Sequence, residues 1–232
     1  MVSNATLVVV VDNTSSPGLR SEWGWSAYIE SPSWRVLFDA GGDPDVIECN
    51  MEALGINPED LDFAVLSHHH GDHCGGFEFI GRVHRGLKVY VPPGDTGYLR
   101  EWGLEPIVVK SSEKVADDAW VIGAFRSSPL SSLWEIAFAF KVDGKGLVVV
   151  VGCSHPGVEK FVEEAVRVSG EKEVYMVIGG LHNASRRIID RLASRVKYIG
   201  AAHCSGDELR DYIRRRFIDK YVPVHVGLRL VF

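Results

Sequence analysis

From Leu61 to Gly76 the chain reads LDFAVLSHHHGDHCGG, and this stretch constrains the fold more than any other. His68, His69, His70, Asp72 and His73 stand within six consecutive residues, directly after the apolar run Phe63, Ala64, Val65, Leu66. A short apolar run bounded by a turn is the pattern of a buried strand, so the histidines are expected just past a strand end. Neutral imidazoles and carboxylates are ligands of zinc and its divalent neighbours, and alternate residues of an extended segment face the same way. His68 and His70 can therefore aim at one point. Gly71 can take backbone angles closed to other residues, which lets Asp72 and His73 turn back toward that point and makes a second metal position available. A low-complexity histidine tract would have neither an aspartate at fixed offset nor a strand in front of it.

Around this stretch the chain alternates apolar runs with turn signals. Leu7 to Val11 opens as a strand, and Trp25 to Glu30 with Arg35 to Phe38 reads as a hairpin about a Ser-Pro-Ser turn. Asp43 is suited to cap a helix with Pro44 at its first position; Val46, Ile47, Met51 and Leu54 give that helix one apolar side, and Gly55 ends it. Lys88 to Val91, Pro106 to Val109 and Ala119 to Ala124 are further strands. The second half repeats one pattern. Leu147 to Val151 runs into Cys153-Ser154-His155, Glu173 to Ile178 into Gly180-Leu181-His182, and Val196 to Ala202 into His203-Cys204. Helices lie between them, marked by Val158, Phe161, Val162, Ala165 and Val166, and by Ile188, Ile189, Leu192 and Ala193. Strand, histidine, helix, repeated, places His155, His182 and His203 at one strand-end edge, where α/β folds keep their ligands. One such histidine alone would ordinarily be a core or helix-start residue.

At 232 residues with 46% apolar and 10% aromatic content, the chain can bury a full core, and one α/β domain over 1–232 is expected. A formal charge of −6 with scattered Lys and Arg offers no broad positive field, so no nucleic-acid partner is expected. The densest basic stretch, Arg210 to Arg216, has Leu209, Tyr212, Ile213 and Phe217 interleaved at helical spacing and reads as the wet face of an amphipathic helix. Cys49, Cys74, Cys153 and Cys204 form no C-x-x-C pair. Thiols beside candidate ligands, no signal-peptide pattern and no apolar run able to span a bilayer point to a cytoplasmic protein without a membrane partner.

The motifs combine into a resemblance. Asp12-Asn13, Glu22-x-Gly24-x-Ser26, Phe38-Asp39-Ala40-Gly41-Gly42, Leu54-Gly55-Ile56, the histidine segment, GCSHPG at 152–157, Ile178-Gly179-Gly180-x-His182 and His203-Cys204-Ser205-Gly206 cover nearly the whole length. The chain resembles the metallo-β-lactamase superfamily, in particular the branch named for dihydropterin ribofuranosyl-aminobenzene phosphate synthases. The resemblance implies an αββα sandwich, two mixed β-sheets flanked by helices, with two metal ions at one edge between the sheets. It implies His68 and His70 as ligands of one metal, Asp72 and His73 as ligands of the other, and His203 as the closing histidine. In the wider superfamily a further histidine completes the first site, and a strand ending in Gly-Asp supplies a carboxylate that bridges the metals. Here that strand ends in Gly152-Cys153, and Ser127 to Trp134 holds no histidine. His155 is the replacement expected for the missing ligand, and His182 is expected to stand behind the ligands or face substrate, with ligation as its lesser role. Cys153 is open to two roles, a bridging thiolate or a small buried residue behind the site, the second being the ordinary one for cysteine. Asp39 is suited to orient a ligand histidine or to cap a turn. Relatives carry a histidine in the Glu22-x-Gly24-x-Ser26 element, where Trp23 and Trp25 stand, and Gly and Tyr where His69 and Gly71 stand, which implies a pocket of different polarity.

A metal-dependent hydrolase follows as the expected function. Zinc, two ions per chain, with iron or manganese as other occupants, would supply a metal-bound hydroxide near neutral pH for an ester, lactone, thioester or phosphodiester of a small molecule. Asp72 would also accept a proton, and His182 would protonate the leaving group. Relatives with a diiron centre are oxidoreductases and typically carry Glu where His70 stands, which sets that alternative behind hydrolysis; a non-catalytic metal-binding module is the other alternative.

Overall fold

The structure, a computed structural model, describes residues 4–182 and 184–232. Its first sheet contains β1 (Thr6–Val11), β2 (Ser26–Glu30), β3 (Arg35–Phe38), β4 (Phe63–Val65), β5 (Lys88–Val91), β6 (Glu105–Val108) and β13 (Arg229–Val231), in the order β13-β1-β2-β3-β4-β5-β6. Pairing is antiparallel from β1 to β3 and parallel from β3 to β6. The second sheet contains β7 (Glu113–Ala116), β8 (Ala119–Arg126), β9 (Trp134–Val142), β10 (Gly146–Val151), β11 (Val174–Gly180) and β12 (Val196–Ala202), in the order β12-β11-β10-β9-β8-β7. Here β7 to β10 are antiparallel, and β10, β11 and β12 are parallel.

Side-chain alternation sorts each strand between two apolar layers. In β1, Leu7 and Val9 enter the core between the sheets with Trp25, Phe38, Phe138 and Val148, while Val8 and Val10 pack with Ile47, Met51, Phe77 and Ile80. Those last four come from α1 (Pro44–Leu54) and α3 (Phe77–Val83), the helices on the outer face of the first sheet. In β10, Val148 and Val150 face the inter-sheet core, whereas Leu147, Val149 and Val151 meet Phe161, Val162, Ile189, Leu192 and Ile213. These belong to α5 (Val158–Ser169), α6 (Arg186–Arg195) and α7 (Gly206–Arg216). With both faces covered, the strands read as continuous apolar runs, and the layers are helix, sheet, sheet, helix. Two one-turn helices, α2 (Gly71–Cys74) and α4 (Gly97–Glu101), follow β4 and β5.

Helix ends obey local chemistry. Asp43 Oδ1 accepts the Asp45 N–H at 2.8 Å, Pro44 occupies the first turn of α1, and Gly55 closes it in the left-handed region at φ 68°. Strand ends differ from the sequence expectation by a residue or two at β1, β2, β4, β6, β8, β10 and β11. β7, the nine-residue β9 and β13 were not anticipated; the run of β9, WEIAFAFKV, carries an acid inside it. No described helix is long and apolar enough to cross a membrane.

Candidate metal centre

Parallel strands from both sheets end at one edge. β3 delivers Asp39, β4 delivers Ser67 and His68, β10 delivers Cys153 and His155, β11 delivers His182, and β12 delivers His203. His68 and His155 meet at 4.9 Å between ring centroids, so the two sheet edges converge. Close backbone approach requires glycine at two points. A Cβ on Gly75 would lie 2.0 Å from Gly42 O, and one on Gly152 would lie 2.1 Å from Ser67 Oγ. These positions bring the histidine segment against the loop after β3, and β10 against the end of β4.

Four imidazoles are held by the outer ring nitrogen. Asp39, fully buried, accepts from Ser67 N at 2.6 Å, Ser67 Oγ at 2.7 Å and His73 Nδ1 at 2.7 Å. With its proton committed to Asp39, the Ser67 hydroxyl accepts from His68 Nδ1 at 2.9 Å. Glu135, also fully buried, accepts from His155 Nδ1 at 3.0 Å and from the backbone N–H groups of Cys153, Ser154 and His155 at 2.7 to 2.9 Å. His203 Nδ1 is 3.3 Å from Asn13 Oδ1, whose amide in turn donates to His203 O at 3.1 Å. His203 is also held through its backbone N–H, which donates to Asp12 Oδ1 at 2.7 Å. In each imidazole the Nδ1 proton is spent on an orienting partner, which leaves the Nε2 lone pair turned inward.

The inward donors form two triads. His68, His70 and His155 make one, and Asp72, His73 and His203 the other; within each, ligand-capable atoms all lie within 4.8 Å of one another. His70 Nδ1 approaches His68 Nε2 to 3.0 Å, and Asp72 Oδ2 is 3.3 Å from His203 Nε2 and 3.9 Å from His73 Nε2. All six residues singled out as ligands in the sequence are thus gathered at one place. His182 is exposed, with its ring 4.9 Å from that of His155, and lies in neither triad. His69 points elsewhere, to the Tyr98 hydroxyl at 2.8 Å and Pro92 O at 3.1 Å. The Trp23 ring lies 4.9 Å from that of His203, tilted against it, but Trp25 is buried in the inter-sheet core and contributes nothing to pocket polarity.

Protonation follows from burial and charge. Burial, then the charges of His73, His155 and His70, push His68 well down; burial followed by His155 lowers His70. Burial lowers His203, and Asp72 only partly offsets it. Burial would raise Asp72, but the close approach of His203 and the charges of His73 and His203 outweigh it and hold the carboxyl well below its usual range. Burial would lower His73, yet Asp39 raises it. A neutral His68, His70 and His203 and an ionised Asp72 are the states that a cation needs; His73, raised by Asp39, would have to give up its Nε2 proton to a cation. The donor set fits: His203 Nε2 is buried with no hydrogen-bond partner, an orphan that a cation would satisfy.

Glu135, Asp12 and Asn13 were not singled out as site residues in the sequence, although an isolated acid within an apolar strand was a usable sign of Glu135. A cleft of about 190 Å³ beside His155 and His182 is lined by Val158, Leu181 and Ile188; another of about 370 Å³ beside His70 is lined by Asp95, Tyr98 and Trp134.

Comparison with known proteins gives a consistent picture. Residues 24–167 match the family model of the metallo-beta-lactamase superfamily. A 7,8-dihydropterin-6-methyl-4-(beta-D-ribofuranosyl)-aminobenzene-5'-phosphate synthase of Methanocaldococcus jannaschii is 27% identical over 268 residues, covering 91% of this chain and 90% of that protein. Among solved structures, Tm1679, a metal-dependent hydrolase of the beta-lactamase superfamily, superposes with a TM-score of 0.80 at 23% identity, covering 97% of this chain and 98% of its own. A diphosphatase from the PhnP family superposes at 0.65 with 15% identity, covering 100% of this chain and 98% of its own. At such identities the two structures speak to the fold.

Proposed function

The chain belongs to the metallo-beta-lactamase superfamily, and from that membership and its paired donor triads we propose a zinc-dependent hydrolase of small-molecule esters, lactones, thioesters or phosphodiesters. The observation that carries the reading is the adjacency of the triads, with an orphaned, buried His203 Nε2 in one of them. His68, His70 and His155 would hold one cation, and Asp72, His73 and His203 the other. Divalent cations there would acidify water to a pKa of about 7 and polarise the oxygen of the scissile group.

The chain's own residues do the rest. Asp39 and Glu135 fix ring orientation through His73 and His155, so the donors need no reorganisation when substrate arrives. Asp72 stays ionised and is available to take a proton. His182 stands at the cleft mouth outside both triads, in position to give a proton to the leaving group. The two clefts flanking His155 and His70 have the size of small organic groups.

A synthase-type group transfer is the second reading, favoured by the 27% identity to the Methanocaldococcus jannaschii synthase over nine-tenths of both chains. Zinc-loaded protein assayed against a panel of the four bond classes in ¹⁸O-water separates the two. Turnover with ¹⁸O in the product, abolished by chelation and restored by zinc, is expected. Turnover without ¹⁸O would replace hydrolysis by transfer, and no turnover of any bond class with zinc bound would overturn the hydrolase reading.

A further inference from the structure

Cys153 and Cys204 stand just past the ends of β10 and β12, and β11 lies between those strands. Their sulfurs are nevertheless neighbours. Both Sγ atoms belong, with a ring nitrogen of His203, to one group whose members all lie within 4.8 Å of one another. Cys204 Sγ also approaches Cys153 O to 3.9 Å. Gly180, the last residue of β11, makes this possible: a Cβ there would lie 2.6 Å from Cys204 Sγ and 3.1 Å from Cys153 Cα. The Cys204 sulfur thus crosses the bare backbone of Gly180 to reach Cys153.

Access to the two thiols is unequal. Cys153 is only 4% exposed, and its Sγ is 3.2 Å from His73 Nε2. Cys204 is half-buried and lines a cleft of about 320 Å³ together with Leu181, Ser205 and Leu209. A small oxidant entering that cleft meets Cys204 first and finds a second thiol behind it, which is the arrangement of an oxidisable cysteine beside its resolving partner. A disulfide needs its sulfurs about 2 Å apart, so the pair has at most about 3 Å to close. The other two cysteines are placed differently: Cys74 packs in the outer layer of the first sheet, and Cys49 is carried by α1 on that same face.

We propose that Cys153 and Cys204 are a reversible oxidation site, a thiol pair that hydrogen peroxide converts to a disulfide. One peroxide oxygen passes to the Cys204 sulfur as the O–O bond breaks, giving a sulfenic acid and a water. The Cys153 sulfur then attacks that sulfur, the S–O bond breaks, and the hydroxyl leaves with the Cys153 proton as a second water. One peroxide is reduced as two thiols are oxidised, and a small dithiol reverses the change. Cys204 directly follows His203, whose backbone is held in the left-handed region at φ 44°. Drawing Cys204 toward Cys153 pulls on that strained residue, so the bridge unseats one donor of the Asp72, His73 and His203 triad. This consequence, unlike the bridge itself, rests on the two-cation reading given above.

Zinc-loaded wild-type protein treated with hydrogen peroxide tests the proposal without any variant or substrate, by intact mass, disulfide mapping and free zinc. A loss of about 2 Da is expected, with a bridge mapped to Cys153 and Cys204 and release of about one zinc equivalent. Dithiothreitol should restore both the mass and the zinc uptake. Cys49→Ser should keep the bridge, and Cys204→Ser should lack it. Wild-type protein that stays unbridged, that only gains oxygen at Cys204, or that bridges through Cys49 or Cys74 would overturn the proposal. A Cys153–Cys204 bridge formed with both zinc ions retained would overturn the coupling to His203. Protein that takes up no zinc and still forms the bridge would bring down the metal-centre reading alone.

Discussion

The two triads differ in what encloses them. Asp72, His73 and His203 are walled in by the first sheet, with His73 and His203 buried and locked by Asp39, Asn13 and Asp12. In the other triad His68 is as buried as these, but His70 is exposed and His155 half-buried, and a cleft adjoins each of those two. The open triad is anchored to the second sheet by one carboxylate, Glu135. An enclosed donor set is rigid and hard to strip, while an open one can meet substrate; on the proposed function, the first triad would hold its ion and the second would meet substrate.

The largest way to break that contrast is Asp39→Ala. It leaves the Ser67 N–H, the Ser67 hydroxyl and His73 Nδ1 without their buried acceptor, and a loss of about 3–5 kcal/mol in a denaturant titration is expected. A loss near zero would mean that the enclosed side is not rigid. Zinc withdrawal comes next. With zinc at about a thousandfold over its dissociation constant, each site adds about 4 kcal/mol, and a graded chelator series followed by thermal melts should empty the open triad first. Simultaneous loss of both ions would erase the distinction. Glu135→Ala should cost on the order of 3 kcal/mol through its stranded backbone donors. It should also weaken zinc at one site about 10–100-fold while sparing the other; equal weakening at both would contradict the division. His182→Ala is the mildest for the fold, within about 0.5 kcal/mol. Zinc stoichiometry should stay unchanged while turnover of a cleaved substrate falls about 10²–10⁴-fold.

The enclosed triad was the more legible in sequence. Asp72 and His73 are fixed by local spacing after a strand, and His203 by the repeated pattern of a strand running into a histidine. Local periodicity reports such features because the cause lies within a few residues. Glu135 acts on residues 18 to 20 positions away, across a strand pair, and no local pattern ties it to Cys153 or His155. The two tryptophans show the same limit. Trp23 and Trp25 share a motif, yet one lies over His203 and the other is in the core, because the chain bends at Trp23 before β2 begins and is not extended there. Cys153 is the sharpest case: its residue type suggests burial, and burial is found, but the direction of the sulfur is set by how two sheets meet.

Calorimetric zinc titration of the metal-free protein tests the central claim most directly. Wild-type protein should bind two equivalents, with His155→Ala losing one and His203→Ala losing the other. A wild-type stoichiometry below two, or variants that still take up both ions, would contradict the account.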